Sequence, residues 1–288
     1  MDAQQAQLIV NGVAVGSIIA LAAVGLTLTY GILRLANFAH GDFMTLGAYL
    51  TWVANTRGVN IWLSMIVGAI ATVGAMVLSE KLLWSRMRLA RATSTTLIII
   101  SIGLALFVRY GIVFIWGGSN QNYNLPISPA QEILGLKIPQ NQIVVMLMAV
   151  VAIIALHYLL QNTKIGKAMR AVADDIDLAR VSGINVEQVV LWTWVITGTF
   201  TALGGSMYGL ITAVRPNMGW FLILPLFASV ILGGIGNPYG AIAAALIIGV
   251  SQEVSTPFLG SQYKQGVALL IMILVLLIRP KGLFKGTI

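Results

Sequence analysis

Apolar residues run through this chain in stretches of about twenty, divided by short polar breaks, the length needed to cross a hydrocarbon core at the rise of an α-helix. On that scale the pattern predicts nine spans, near residues 9–33, 36–55, 61–80, 96–116, 142–160, 190–213, 221–236, 239–256 and 264–279, with eight to ten as the tolerance. The second begins with polar residues, and the seventh and eighth are short and meet in a turn-rich stretch at 233–240. The runs are continuous rather than alternating. The predicted class is therefore all-α, a polytopic bundle of transmembrane helices, and not a barrel, whose strands alternate over about ten residues. Residues 1–288 read as a single transmembrane domain.

One stretch breaks the pattern. Residues 164–187 hold four of the seventeen basic and four of the nine acidic residues. Within them Ala168, Met169, Val172, Ile176 and Ala179 follow Ile165 at intervals that line one face of a helix. Lys167, Arg170, Asp174, Asp177 and Arg180 project mainly elsewhere, and Gly183 is suited to the left-handed turn that ends a helix. Asn185 is placed to cap a second, short helix. Two readings fit: a helix lying on the inner membrane surface with its basic residues on headgroups, or one docked on a soluble protein.

Composition makes the membrane assignment firm. The chain is 58% hydrophobic and 9% charged with mean hydropathy +0.90, whereas soluble domains carry charge on about a quarter of their residues. Its net charge of +8 would suit nucleic acid, but the basic residues lie beside apolar spans, where topology accounts for them. If the spans alternate, Arg34, Lys81, Arg86, Arg88, Arg91, Lys164, Lys167, Arg170, Arg180, Arg279, Lys281 and Lys285 share one side. Arg57, Lys137, Arg215 and Lys264 fall on the other. The richer side is cytoplasmic, which places the N-terminus outside and the C-terminus inside. The opening MDAQQAQ lacks the basic region of a cleavable signal, so the first span is expected to be retained. With no cysteine and two histidines, neither disulfides nor thiolate ligands exist and a metal site is not expected.

Polar residues inside or beside spans are the candidates for chemistry. Asn37, His40 and Asp42 crowd into LANFAHGDF at the start of the second run, near the cytoplasmic edge by topology. They either cap an ordinary helix, with Asp42 in its first turn, or line a pathway, where the exposed N-terminus of a broken helix could orient a substrate carboxylate. Arg109 is expected to snorkel outward from the fourth span, with a carboxylate partner across the bundle as the other reading. Glu80 and Lys81 are expected in the headgroup region as ordinary solvated charges. Glu253 reads as a solvated terminus or an inter-helix acceptor. Trp192 and Trp194 are expected at the membrane interface. The long loop at 117–142 reads as a surface loop with a small hairpin around 133–138, or as a receptor-contacting surface. The pairs Gly12 and Gly16, Gly205 and Gly209, and Gly236 and Gly240 have the spacing that lets helices approach closely. No nucleophile, metal set or second histidine joins His40 and Asp42 at recognisable spacing, which argues against a membrane enzyme. No midplane ionisable cluster of an ion-coupled transporter and no channel filter stands out.

Several segments are familiar together. GKAMRAVADDIDLARVSGINVEQV at 166–189 resembles the cytoplasmic coupling segment of permeases in ATP-binding-cassette importers, specifically the LivH type of the branched-chain amino-acid family. VGSIIALAAVGLTLTYGILRLANFAHGDFMTLGAYL at 15–50 is similar to that family's N-terminal signature, FASVILGGIGNPYGAIAAALIIG at 227–249 to its Gly-rich late segment, and RPKGLF at 279–284 to its terminal motif. The resemblance runs the length of the chain in order. It implies a permease of the bacterial inner membrane that pairs with a second permease of the LivM type, binds two cytoplasmic ATPases and receives substrate from an external or periplasmic binding protein. The implied substrates are branched-chain or other neutral amino acids, with urea and short amides as the alternative. The chain has no GxxxxGK[ST] loop, since Gly166 and Lys167 are followed by Ala168, so it is expected to bind no cofactor of its own and to leave ATP and Mg to the ATPases. The coupling segment, taken as 161–189, is expected to use Gly166, Ala168, Met169, Val172 and Ile176 to fill a groove on an ATPase. Arg170 and Asp174 would set the polar register, with Gly183 closing the helix.

Overall fold

The computed structural model describes residues 3–126, 129–133 and 135–284. In chain order it contains α1 (Ala3–Leu33), α2 (His40–Thr56) and α3 (Ile61–Ser79), which continues through a π-helical segment (Glu80–Trp84) into α4 (Ser85–Leu89) as one rod. Next come α5 (Ser94–Trp116), a hairpin of β1 (Ala130–Ile133) and β2 (Leu136–Pro139), and α6 (Gln140–Asn162). They are followed by α7 (Lys164–Asp174), α8 (Ile176–Val181), α9 (Val186–Ile211), α10 (Met218–Gly233), α11 (Pro238–Val254), α12 (Thr256–Leu259) and α13 (Lys264–Ile278). The strands pair antiparallel with Ala130 opposite Pro139, the small hairpin expected in the long loop.

Each predicted apolar run contains a helix, but the helices differ in reach. Among the described residues, six are long and apolar enough to cross a membrane: Gln4–Leu33, Ile61–Leu89, Ser94–Trp116, Gln140–Asn162, Val186–Ile211 and Ser261–Ile278. Met218–Gly233 and Pro238–Val254 are apolar but shorter, and α2 has 17 residues. Lys285, used above for orientation, lies outside the described residues.

Hydrophobic burial orders the bundle. Within the apolar windows, 67% of α1 and 72% of α9 is buried, against 17% for α5, 22% for α6 and 6% for α13. Thus α1 and α9 form the centre, and the outer helices turn Phe107, Phe114, Ile154 and Leu277 outward. Side-chain size sets how closely helices meet. Gly12 and Gly16 of α1 face Gly249 and Val250 of α11 so closely that a methyl on Gly12 would lie 2.5 Å from the Val250 Cα. The pairing of Gly236 with Gly240 is different: Gly236 lies in the turn before α11, and Gly240 packs on Gly233 of α10. The terminal motif is anchored under α10, with the Leu283 amide donating to the Leu232 carbonyl at 2.8 Å.

The second predicted span is the main correction. Residues 34–39 are not helical, and they lead the chain back alongside α1. His40 Nε2 lies 2.8 Å from the carbonyl oxygen of Ala22, eleven residues before Leu33. At 1.5 Å per residue the chain has climbed about 16 Å back into the bundle before α2 begins. The LANFAHGDF string therefore sits about halfway along α1 rather than at the bundle's edge.

Candidate functional site

Two polar regions hold the candidate site residues read from the sequence: the segment at 164–187 and the start of α2. The segment is built by its caps. Thr163 Oγ1 accepts the Gly166 amide at 3.0 Å and starts α7. Asp175 then takes an extended conformation (φ −152°), and its Oδ1 accepts the Asp177 and Leu178 amides, both at 2.9 Å. A side-chain acceptor of this kind satisfies the free amides of a new helix, so the chain forms two helices here instead of the single one expected. Gly183 (φ +87°) ends α8 in the left-handed conformation anticipated for it. Asn185 caps the next helix through Gln188, at 3.0 Å. That helix is not short. It is α9, with 26 residues, so the segment is joined directly to the central helix of the bundle.

The helical periodicity of α7 is as read, but its apolar face points inward. Met169 and Val172 are 1% and 3% exposed and belong to the chain's own core, with Ala168 packed beside them. Gly166 is wedged against the Leu159 and Leu160 carbonyls. Arg170 turns back to donate to the Leu160 carbonyl and, at 2.9 Å, to Gln161 Oε1, tying down the end of α6. Gly166, Met169 and Val172 are thus committed to internal contacts and do not form the face expected to fill a groove on a partner, whereas Ala168 and Arg170 keep exposed surface. The exposed apolar side chains are Ile176 (39%), Leu178 (62%) and Val181 (81%), with Asp174 also exposed. Leu178 and Val181 escaped the sequence reading because a continuous helix from 165 was assumed, although Asp175 ahead of Asp177 already carried an N-cap signal.

Beside this segment lies a cleft of about 850 Å³. One wall is the stretch from Val172 to Leu191, the other the end of the α3–α4 rod with Lys81, Arg88 and Arg91. Glu80 lines it too but is not a solvated headgroup charge. It is 4% exposed and paired with Arg88, whose Nη1 lies 3.1 Å from Glu80 Oε2 and whose Nη2 contacts Oε1. The same Oε2 accepts the indole N–H of Trp194 at 2.7 Å. Trp194 is fully buried, contrary to the expected interfacial position, whereas Trp192 remains 41% exposed. The spacing of four among Glu80, Trp84 and Arg88 was the available sign of a shared face.

At the start of α2 the structure brings Asn37, His40 and Asp42 together in the interior. Asn37 Oδ1 accepts the Ala39 amide at 3.1 Å, and His40 Nε2 also lies 3.2 Å from Thr201 Oγ1 of α9. Asp42 is held from across the bundle: Arg109 Nε and Nη2 each lie 2.9 Å from one of its carboxylate oxygens. Arg109 therefore does not snorkel. Its guanidinium stays inside, 4.7 Å from the Trp220 ring centre. Gly41 and Gly219 bring the first turns of α2 and α10 into backbone contact, and the Gly219 amide donates to Thr45 Oγ1 at 3.0 Å. Among the described residues, Asn37 Nδ2 and His40 Nδ1 are buried without a hydrogen-bond partner. Glu253, left open by the sequence, pairs with Lys264 at 2.5 Å.

Packed apolar helices, an interior polar cluster at the start of α2 and a polar segment joined to the central helix form a framework of the kind that membrane permeases have. The sequence matches the family model for the branched-chain amino acid transport system permease component over residues 8–276. It is 32% identical to the high-affinity branched-chain amino acid transport system permease protein LivH of Escherichia coli K12, over 95% of this chain and 93% of that protein. BraD of Pseudomonas aeruginosa, a permease protein of the same kind of system, is 29% identical over 96% and 94%. In fold it is similar to a chain in the structure of PsaBC from Streptococcus pneumoniae in complex with Fab, with TM-score 0.54, 12% identity, and coverage of 96% of this chain and 92% of that one. The chain belongs to the branched-chain amino acid transport permease family. It is a multi-pass permease subunit of an ATP-binding-cassette importer.

Proposed function

We propose that this chain translocates branched-chain or other neutral amino acids across the bacterial inner membrane, driven by ATP hydrolysed, with Mg, on two partner ATPases. It works as nine spans with the N-terminus outside and the C-terminus cytoplasmic, beside a second permease of the LivM type. An external or periplasmic binding protein delivers the substrate. The observation that carries this reading is the junction at Asn185, where a polar segment exposing Ile176, Leu178 and Val181 is tied to α9 by a four-residue turn, 182–185. A displacement of α7 and α8 by the ATPases is thereby delivered to the most buried helix of the bundle and rocks the helices around it.

The cluster of Asn37, His40 and Asp42 lines the pathway in this proposal. Its support is the depth at which α2 begins, the buried polar atoms without partners, and the close backbone contact between Gly41 and Gly219 beside them. The names of the relatives favour amino acids over urea or short amides as cargo. The test is uptake into vesicles holding this chain with its partner permease, ATPases and binding protein, with neutral, acidic and basic amino acids and urea competing. ATP-dependent uptake displaced by neutral amino acids supports the reading. Uptake that follows an ion gradient without ATP, or that only urea displaces, overturns it.

A further inference from the structure

The cluster of Glu80, Arg88 and Trp194 has no part in the pathway or in the exposed face of the segment, yet its carboxylate is buried and bonded from two elements. One carboxylate holds three donors from two elements. Arg88 comes from the far end of the α3–α4 rod and Trp194 from α9. Trp194 lies eight residues inside α9 from its first residue, Val186, about 12 Å along the helix axis from the end of the polar segment. The two elements also meet through apolar contacts such as Gly198 against Val73 and Met76, which carry little direction along the helix axes. A buried carboxylate bonded to a guanidinium and an indole is directional, and breaking it leaves charge uncompensated in the interior.

The backbone is adapted to this contact. The Ser85 amide reaches the Glu80 carbonyl, a five-residue step that widens the helix into a π turn at this point. Glu80 and Trp84 are both buried there, and Arg88 follows two turns on from Glu80. The cluster also borders the 850 Å³ cleft, which is lined by Glu80 and Arg88 on the rod and by Val190 and Leu191, within one turn of Trp194, on α9.

We infer that Glu80 is a positioning residue for energy coupling, locking the α3–α4 rod to α9 so that displacement of the 164–187 segment moves both as one body. This rests on the importer reading above. Without the lock, α9 moves against the rod, the ATPases still turn over, and the bundle does not complete its change of access. Glu80 touches neither nucleotide nor substrate. Its signature is therefore the ratio of ATP hydrolysed to substrate carried, which a residue needed only for folding does not alter.

The experiment uses the complete complex in vesicles, measuring uptake and ATP hydrolysis in parallel for wild type, Glu80→Gln, Glu80→Asp, Arg88→Ala and Trp194→Phe. Glu80→Gln keeps an acceptor for the indole but removes the charge that holds Arg88. We expect it to raise ATP hydrolysed per substrate by about tenfold, within the usual range of coupling between distant sites. Arg88→Ala, altered at the partly exposed end of the contact, gives a similar rise and carries the test if Glu80→Gln fails to assemble, and Glu80→Asp recovers part of the wild-type ratio. An unchanged ratio in assembled variants, or a parallel loss of uptake and hydrolysis in all of them, overturns the inference. Failure of the wild-type complex to show ATP-dependent uptake would instead count against the importer reading itself.

Discussion

The ion pair between Asp42 and Arg109 should make α5 unusually sensitive to charge removal. Asp42 is 1% and Arg109 15% exposed in their side chains, and the two contacts at 2.9 Å join α2 to a helix whose apolar window is only 17% buried. Arg109→Ala strands a buried carboxylate, and breaking one side of such a pair costs about 3–5 kcal/mol. Asp42→Ala is milder, because Arg109 keeps the face of the partly exposed Trp220 ring at 4.7 Å, a contact worth about 0.5–1 kcal/mol. The double variant Asp42→Asn with Arg109→Gln removes both charges together and should lie well above Arg109→Ala in stability. Unfolding by SDS in mixed micelles, followed by tryptophan fluorescence with Trp220 at the site, measures all three. The expected order of loss is Arg109→Ala, then Asp42→Ala, then the double variant. With each 1.36 kcal/mol worth a decade, Arg109→Ala lowers the folding equilibrium by at least about two decades. A loss for Arg109→Ala within about 0.5 kcal/mol, typical of an unremarkable surface site, would refute the claim that the pair is buried and mutually dependent.

Other consequences follow from the same geometry. Met169→Ala should cost about 2–5 kcal/mol in the same unfolding assay, as for a core methionine; a neutral result would return Met169 to the surface. Gly41→Ala would press a methyl into the Gly219 backbone, 2.9 Å from its carbonyl carbon, and should abolish uptake while sparing ATPase attachment. Full uptake by that variant would mean that the start of α2 lies off the pathway. Because the chain has no cysteine, single substitutions Ser182→Cys and Ser119→Cys report topology cleanly: an impermeant thiol reagent outside the cell should label position 119 and not 182. Labelling of 182 from outside would invert the proposed orientation.

Much of the architecture was legible because bilayer thickness imposes a length on every apolar run, and each predicted run indeed holds a helix. The capping signals at Gly183 and Asn185 were local and could be read from residue type. Depth was not legible. Nothing in LANFAHGDF says that the chain turns back beside α1, since that path is fixed by contacts with Ala22 and Thr201, far away in sequence. Partners of charged groups were hidden for the same reason: Arg109 and Asp42 are 67 residues apart, and Glu80 and Trp194 are 114 apart. The amphipathic face of α7 was read correctly as apolar and given the wrong neighbour. Periodicity says that a face will be buried but not against what, and here Met169 and Val172 are buried in the chain's own core.

The central claim is that energy enters through the exposed face of α8, and the double variant Leu178→Asp with Val181→Asp tests it most directly. Both side chains are largely exposed, at 62% and 81%, so the chain should insert and fold with stability within about 0.5 kcal/mol of wild type. The account predicts that this folded variant no longer co-purifies with the ATPases and shows no ATP-dependent uptake. Normal co-purification with full uptake would contradict it.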